Sequence, residues 1–171
     1  ADIDVFDLEI NAPNAEDVIR FCQLLEPTVG AINLEDIQAP DCFIIEETLR
    51  GKLQIPAFHD DQHGTAIIAG AALINALEVV KKDAAKVRVV FSGAGAAGIA
   101  TAGHFINLGV RRENIVMCDV FGVLVEGRQE GIHSYNAPFA IKTSLRTLAE
   151  AFKDADVFVG LSTGGNVTPA M

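Results

Sequence analysis

Positive charge is in short supply. Thirteen Lys and Arg stand against 23 Asp and Glu, a formal net charge of -10, and the pI is about 4.7. Such a surface repels nucleic-acid phosphates and anionic membranes, so neither is an expected partner. Small anions can bind only where a metal, an Arg or a helix N-terminus reverses the local sign. Cysteine is scarce too. Cys22, Cys42 and Cys118 are odd in number, widely spaced and set in apolar surroundings. Buried free thiols are therefore expected, which fits a reducing cytoplasm. No signal peptide is visible, because the first residues are acidic. The longest apolar run, residues 66–74, falls far short of the roughly twenty needed to span a bilayer. Internal repeats, low-complexity tracts and long linkers are absent.

What is present is enough apolar material, 50% of 171 residues, for one domain with a substantial core. The chain opens at Ala1 on strand-like residues 3–10 and closes at Met171 just after another strand. A domain truncated at its C-terminal side is the expectation. Asn14 followed by Asp17 predicts a capped helix, with Val18, Phe21, Cys22 and Leu25 at helical spacing up to Pro27. A short strand follows at 31–34. A helix opens at Pro40-Asp41 and ends at Gly51, and a strand at 53–58 contains Pro56. Residues 65–82 predict a long helix whose polar positions (Asn75, Glu78, Lys81, Lys82) form one stripe, so most of it should be buried. Strands at 86–92, 114–120 and 156–161 alternate with helices at 99–108 and 145–152. Residues 121–136 read as a loop. Alternation of this kind predicts an α/β, Rossmann-like parallel sheet with helices on both faces.

Gly93-Ala94-Gly95-Ala96-Ala97-Gly98 follows a β-branched strand and opens a helix. Gly93 can make the tight turn, Gly95 admits a pyrophosphate, and Gly98 lets helix and strand pack closely. The bland alternative is a turn that only packs helix on strand. Asp119 ends the next strand about twenty residues on, where a carboxylate can accept the ribose hydroxyls of an adenosine. It favours NAD over NADP, while Arg128 nearby offsets it, so either dinucleotide stays open.

Two acidic pairs, Glu35-Asp36 and Asp60-Asp61, close strand-like runs at the edge where parallel sheets bind ligands. Carboxylates delivered together repel unless a cation or proton joins them. Glu35, Asp36 and Asp61 supply the oxygen donors that Mg2+ or Mn2+ prefers, with positions left for water and substrate. Each pair could instead be a solvated turn or a helix cap. His59 and His63 bracket Asp60-Asp61 and invite a zinc reading, but a zinc-protease helix places Glu directly after its first His. His104 and His133 have no recognisable partner.

Three strings together carry a likeness: Asn33-Leu34-Glu35-Asp36-Ile37, Ala39-Pro40-Asp41-Cys42-Phe43, and Ile55-Pro56-Ala57-Phe58-His59-Asp60-Asp61-Gln62-His63-Gly64-Thr65-Ala66. With the glycine turn, Met117-Cys118-Asp119, Gly127-Arg128 and Gly160-Leu161-Ser162, they resemble the bacterial-type malic enzymes over nearly the whole chain. The resemblance implies a metal at Glu35, Asp36 and Asp61, and an active-site carboxylate at Asp60 that helps position the general base. It implies a dinucleotide, NAD or NADP, at Gly93, Ala94, Gly95, Ala96, Ala97, Gly98 and Asp119. Residues 1–64 would be metal-site strands and loops, and 65–171 the dinucleotide-binding half. The implied reaction is oxidative decarboxylation of L-malate to pyruvate and CO2, in a cytoplasmic homo-oligomer. The catalytic Tyr and Lys of the family have no match here, since Tyr135, Lys52 and Lys86 lie in other contexts. A catalytically inactive portion of a larger enzyme is thus expected. The alternatives are a malolactic enzyme releasing lactate, a non-catalytic dinucleotide-binding module, and a zinc hydrolase built on His59 and His63.

Overall fold

The computed structural model describes residues 2–171. Helix α1 (Ala15–Leu25) starts where expected. Asn14 accepts a hydrogen bond from the Asp17 amide at 2.9 Å, and its own amide donates to the Asp17 carboxylate at 2.9 Å. Strand β1 (Ile32–Leu34), helix α2 (Asp41–Lys52) and strand β2 (Ala57–His59) follow. β2 is shorter than its apolar run. Pro56 has no N–H for a ladder and contributes only its carbonyl, which accepts from Ile32 at 2.9 Å. Helix α3 (Asp60–Val80) begins five residues earlier than the periodicity suggests, directly on the second acidic pair.

The second half alternates β3 (Val89–Ser92), α4 (Ala96–Asn107), β4 (Ile115–Asp119), β5 (Gly122–Val123), α5 (Leu148–Phe152) and β6 (Val157–Gly160). The predicted strands do not form one sheet. β1 and β2 pair in parallel by themselves, with Leu34 opposite His59. A four-stranded sheet has the order β5-β4-β3-β6, with β3 parallel to both neighbours and β5 antiparallel at the edge. β3 is buried throughout, as a strand covered on both faces must be. Its side chains alternate between two cores. Val89 and Phe91 join Leu73, Phe105, Ile115 and Met117 on one face, while Val90 joins Val116, Val123 and Ala151 on the other. A third core of Ile19, Leu34, Ile45 and Leu49 sits under α1 and α2.

Three further expectations fail for identifiable reasons, and the span 121–136 read as a loop opens with the short edge strand β5. Residues 3–10 alternate like a strand but form none, since no strand among the described residues pairs with them, and Val5 and Phe6 are exposed. Helix α3 is not mostly buried. Ile67, Ile68, Ile74, Val79 and Val80 all face outward, because apolar composition does not say what covers a face. By length and composition alone α3 is apolar enough to cross a membrane, which the short uninterrupted run at 66–74 does not suggest. Here it packs along α4, where Gly70 leaves room for the His104 ring: a Cβ on Gly70 would lie 2.5 Å from Cδ2 of His104. The helix over 145–152 starts only at Leu148. Thr147 caps it, accepting from the Glu150 amide at 3.2 Å while Glu150 accepts from the Thr147 amide at 2.8 Å.

Candidate active site at two strand edges

The turn after β3 is shaped by missing side chains. Gly93 has φ +124°, and a Cβ there would lie 2.3 Å from the Leu161 carbonyl oxygen. A Cβ on Gly98 would lie 2.1 Å from the Gly93 oxygen. Gly95, by contrast, faces open space. Helix α4 begins there with no side chain capping its first amides. Free amides at a helix N-terminus over an open glycine fit the pyrophosphate of a dinucleotide. The β3–turn–α4 unit is pinned from both sides, by Gly93 N–H to the Cys118 carbonyl and Leu161 N–H to the Ser92 carbonyl, each at 2.8 Å.

Asp119 ends β4 beside this turn and is already partnered. Its Oδ1 accepts from Arg128 at 2.9 Å and from the Phe121 amide at 2.8 Å, and a second guanidinium N–H reaches Oδ2. Both side chains are largely buried. The pairing that proximity in sequence suggested therefore exists, with Arg128 also donating to the Gly122 and Val123 carbonyls.

The two acidic pairs meet at the C-terminal edge of the β1–β2 sheet, because Leu34 and His59 stand opposite each other in parallel register. Asp36 adopts the left-handed conformation (φ +55°), which aims its N–H at Asp61 Oδ2, 3.1 Å away. Glu35 accepts from Asn33 at 2.9 Å. Asp60 folds back over the first turn of α3 into the space Gly64 leaves, since a Cβ on Gly64 would lie 2.3 Å from its Oδ1. Oxygen donors on adjoining loops suit a hard divalent cation by their chemistry. The loops are brought together, but among the described residues no three His, Cys, Asp or Glu side chains gather as a ready metal cluster.

The histidines separate. His59 caps α3, its Nδ1 accepting from the Gln62 amide at 3.3 Å, whereas the His63 ring bonds the Glu46 carboxylate at 2.5 Å. Each ring is engaged by a different partner, and the zinc reading loses its geometry. Glu46 went unnoticed in the sequence. It is a buried carboxylate on α2 that also takes Gln62 at 3.3 Å and Arg50 at 3.1 Å, tying α2 to the start of α3. A helical Glu gives no sign of such a tertiary role. His133 staples its own loop, its Nδ1 accepting from the Tyr135 and Asn136 amides at 3.2 and 3.3 Å. Tyr135 stacks on Phe43 at 4.3 Å and donates to Glu47 at 3.1 Å, far from the role of the family tyrosine that its context already failed to match. All three cysteines are free and buried, as expected. Burial, with the Asp61 charge adding to it, pushes the Cys42 thiol up to about 11.

Known proteins resemble this chain in sequence and in fold. A family model described as "Malic enzyme, NAD binding domain" matches residues 62–168, a span that starts immediately after Asp61. The NAD-dependent malic enzyme of Rhizobium meliloti is 48% identical over the whole chain, which covers 22% of that protein. The bifunctional malic/malolactic enzyme of Bacillus subtilis is 45% identical, again over the whole chain and 42% of the relative. The crystal structure of the NAD-dependent malic enzyme from Thermotoga maritima superposes with a TM-score of 0.91 at 40% identity, over 99% of this chain and 46% of that one. The chain thus spans less than half the length of each. With more than half of its residues matched by the family model, it belongs to the malic enzyme NAD-binding domain family.

Proposed function

We propose that the chain is the dinucleotide- and metal-binding portion of an enzyme that oxidatively decarboxylates L-malate to pyruvate and CO2 as NAD or NADP is reduced. The observation that carries this reading is the Asp36 N–H bond to Asp61 at 3.1 Å, which joins two acidic loops in a chain of the malic enzyme family. Glu35, Asp36 and Asp61 would hold Mg2+ or Mn2+, and a bound ion there supplies Lewis-acid polarisation of the substrate's oxygens. Asp60, parked over Gly64, is the carboxylate that keeps the general base oriented. Residues 93–98 take the pyrophosphate on free backbone amides, and Asp119 faces the adenosine ribose. Arg128 neutralises much of the Asp119 charge, so the pocket tolerates a 2′-phosphate as well as a hydroxyl. NAD- and NADP-dependent relatives at the same 48% identity accord with that tolerance. A cytoplasmic homo-oligomer is part of the same reading, and three free buried thiols accord with a reducing compartment.

The test is a Mn2+ titration with NAD and NADP binding measured in parallel. Mn2+ affinity lost in Asp61→Ala and kept in His63→Ala, with dinucleotide binding intact in both, is the expected result. Dinucleotide binding with no metal site at all would reduce the chain to a nucleotide-binding module. The malic/malolactic relative motivates one further reading, in which the same site releases lactate. Product analysis on the whole enzyme, pyruvate against lactate, separates the two.

A further inference from the structure

His59 is fully buried at the end of β2. Its Nδ1 accepts the Gln62 amide at 3.3 Å and caps α3. A ring nitrogen that accepts carries no proton, so the neutral ring bears its hydrogen on Nε2. That Nε2 has no hydrogen-bond partner. It lies 3.7 Å from Asp61 Oδ2, a few tenths of an ångström outside hydrogen-bond reach. Oδ2 is the same oxygen that accepts from the Asp36 amide at 3.1 Å. The Asp61 side chain is 38% exposed, and its Oδ1 has no hydrogen bond among the described residues.

We infer that His59 is the positioning residue of the Asp61 carboxylate. The Asp36 amide from the β1 loop already holds Oδ2 toward the protein, and His59 Nε2–H at the end of β2, 3.7 Å away, is the second donor poised to close on that oxygen when Oδ1 takes the cation. Capping alone does not account for a His at this position. Ser, Thr, Asp and Asn cap helices better, and none of them carries a second donor as far out as Nε2. Outer donors of this kind set the orientation of metal-binding groups elsewhere, and their removal lowers affinity about 10–100-fold. The inference rests on the metal reading above.

Two substitutions separate the ring's two jobs. Asn places its amide where Nδ1 stands, so His59→Asn keeps the cap and loses the outer donor. Gln places its amide where Nε2 stands, so His59→Gln keeps the donor and weakens the cap. In the 171-residue chain, Mn2+ affinity should fall about 10–100-fold in His59→Asn with the melting temperature nearly unchanged. His59→Gln should melt earlier yet bind Mn2+ within about threefold of the unmutated chain. Affinity retained in His59→Asn overturns the inference, as does an equal loss in both variants. A readout that needs no variant is the ring itself. In 15N-edited spectra His59 should carry its proton on Nε2, and that proton should move downfield when Mg2+ is added. A proton on Nδ1, or an unresponsive Nε2–H, overturns it. If the unmutated chain ignores Mn2+ while still binding NAD, the metal reading fails first and takes this inference with it.

Discussion

The glycine turn after β3 and the acidic edge after β1 and β2 hold equivalent places, the C-terminal ends of parallel strands, but they are held in different ways. The turn is made of backbone. Two glycines sit where any side chain would strike a carbonyl oxygen within 2.3 Å, and two 2.8 Å backbone hydrogen bonds lock the loop. The acidic edge is made of side chains. One 3.1 Å hydrogen bond joins its loops, and Asp61 remains partly exposed. A site built from backbone is complete before its ligand arrives. A site built from carboxylates is finished by what it binds, because like charges gather only around a counter-charge.

The sharpest way to break this contrast is Gly93→Ala. It forces a Cβ into the Leu161 carbonyl and an alanine into φ +124°. A loss of about 2–4 kcal/mol is expected in urea unfolding, with dinucleotide binding abolished. A variant that still folds and binds NAD would show the turn to be less rigid than described. Next in size is Asp61→Asn. Mn2+ affinity should drop by at least about 100-fold in titration calorimetry, while stability moves by less than about 1 kcal/mol, as for other exposed charges. A large stability loss instead would make the acidic edge a structural element, like the turn.

Gly64→Ala sharpens the contrast within the acidic edge. The added methyl must displace the Asp60 carboxylate. In the whole enzyme kcat should fall about tenfold or more, although Ala favours the helix by up to about 1 kcal/mol. A smaller effect belongs to a site away from both edges. Asp156 precedes β6, where the Lys82 ammonium and the Arg88 amide hold its carboxyl below the ordinary carboxylate range. A depressed folded-state value stabilises above the unfolded one and is lost as pH falls through the folded one. Thermal melts should therefore drop more steeply below about pH 4 than those of Asp156→Asn, which lacks this linkage. Identical acid slopes would remove Asp156 from the account.

Much of this was legible in the residues. Strand–helix alternation, the Asn14–Asp17 cap, the glycine turn and the pairing of Asp119 with Arg128 are local signals, and local signals survive folding. The unreadable parts depend on partners distant in sequence. Residues 3–10 alternate like a strand but have no neighbour to pair with. Helix α3 looked like a buried core helix because hydrophobicity records a preference, not an occupant. Glu46 and the outer nitrogen of His59 are ordinary residues until α2 and α3 are side by side. The family likeness pointed to the carboxylates, whereas the strand register that brings their loops to one edge appears only in three dimensions.

The Tyr135 contact links the two edges mechanically. The segment that clamps Arg128 onto Asp119 runs on to a ring stacked on Phe43 and a hydroxyl bonded to Glu47, both on α2. It is a strut between the dinucleotide strand and the helix whose Glu46 braces the start of α3. Two strand edges that share no residue are thereby tied to one another through a single ring and a single hydroxyl.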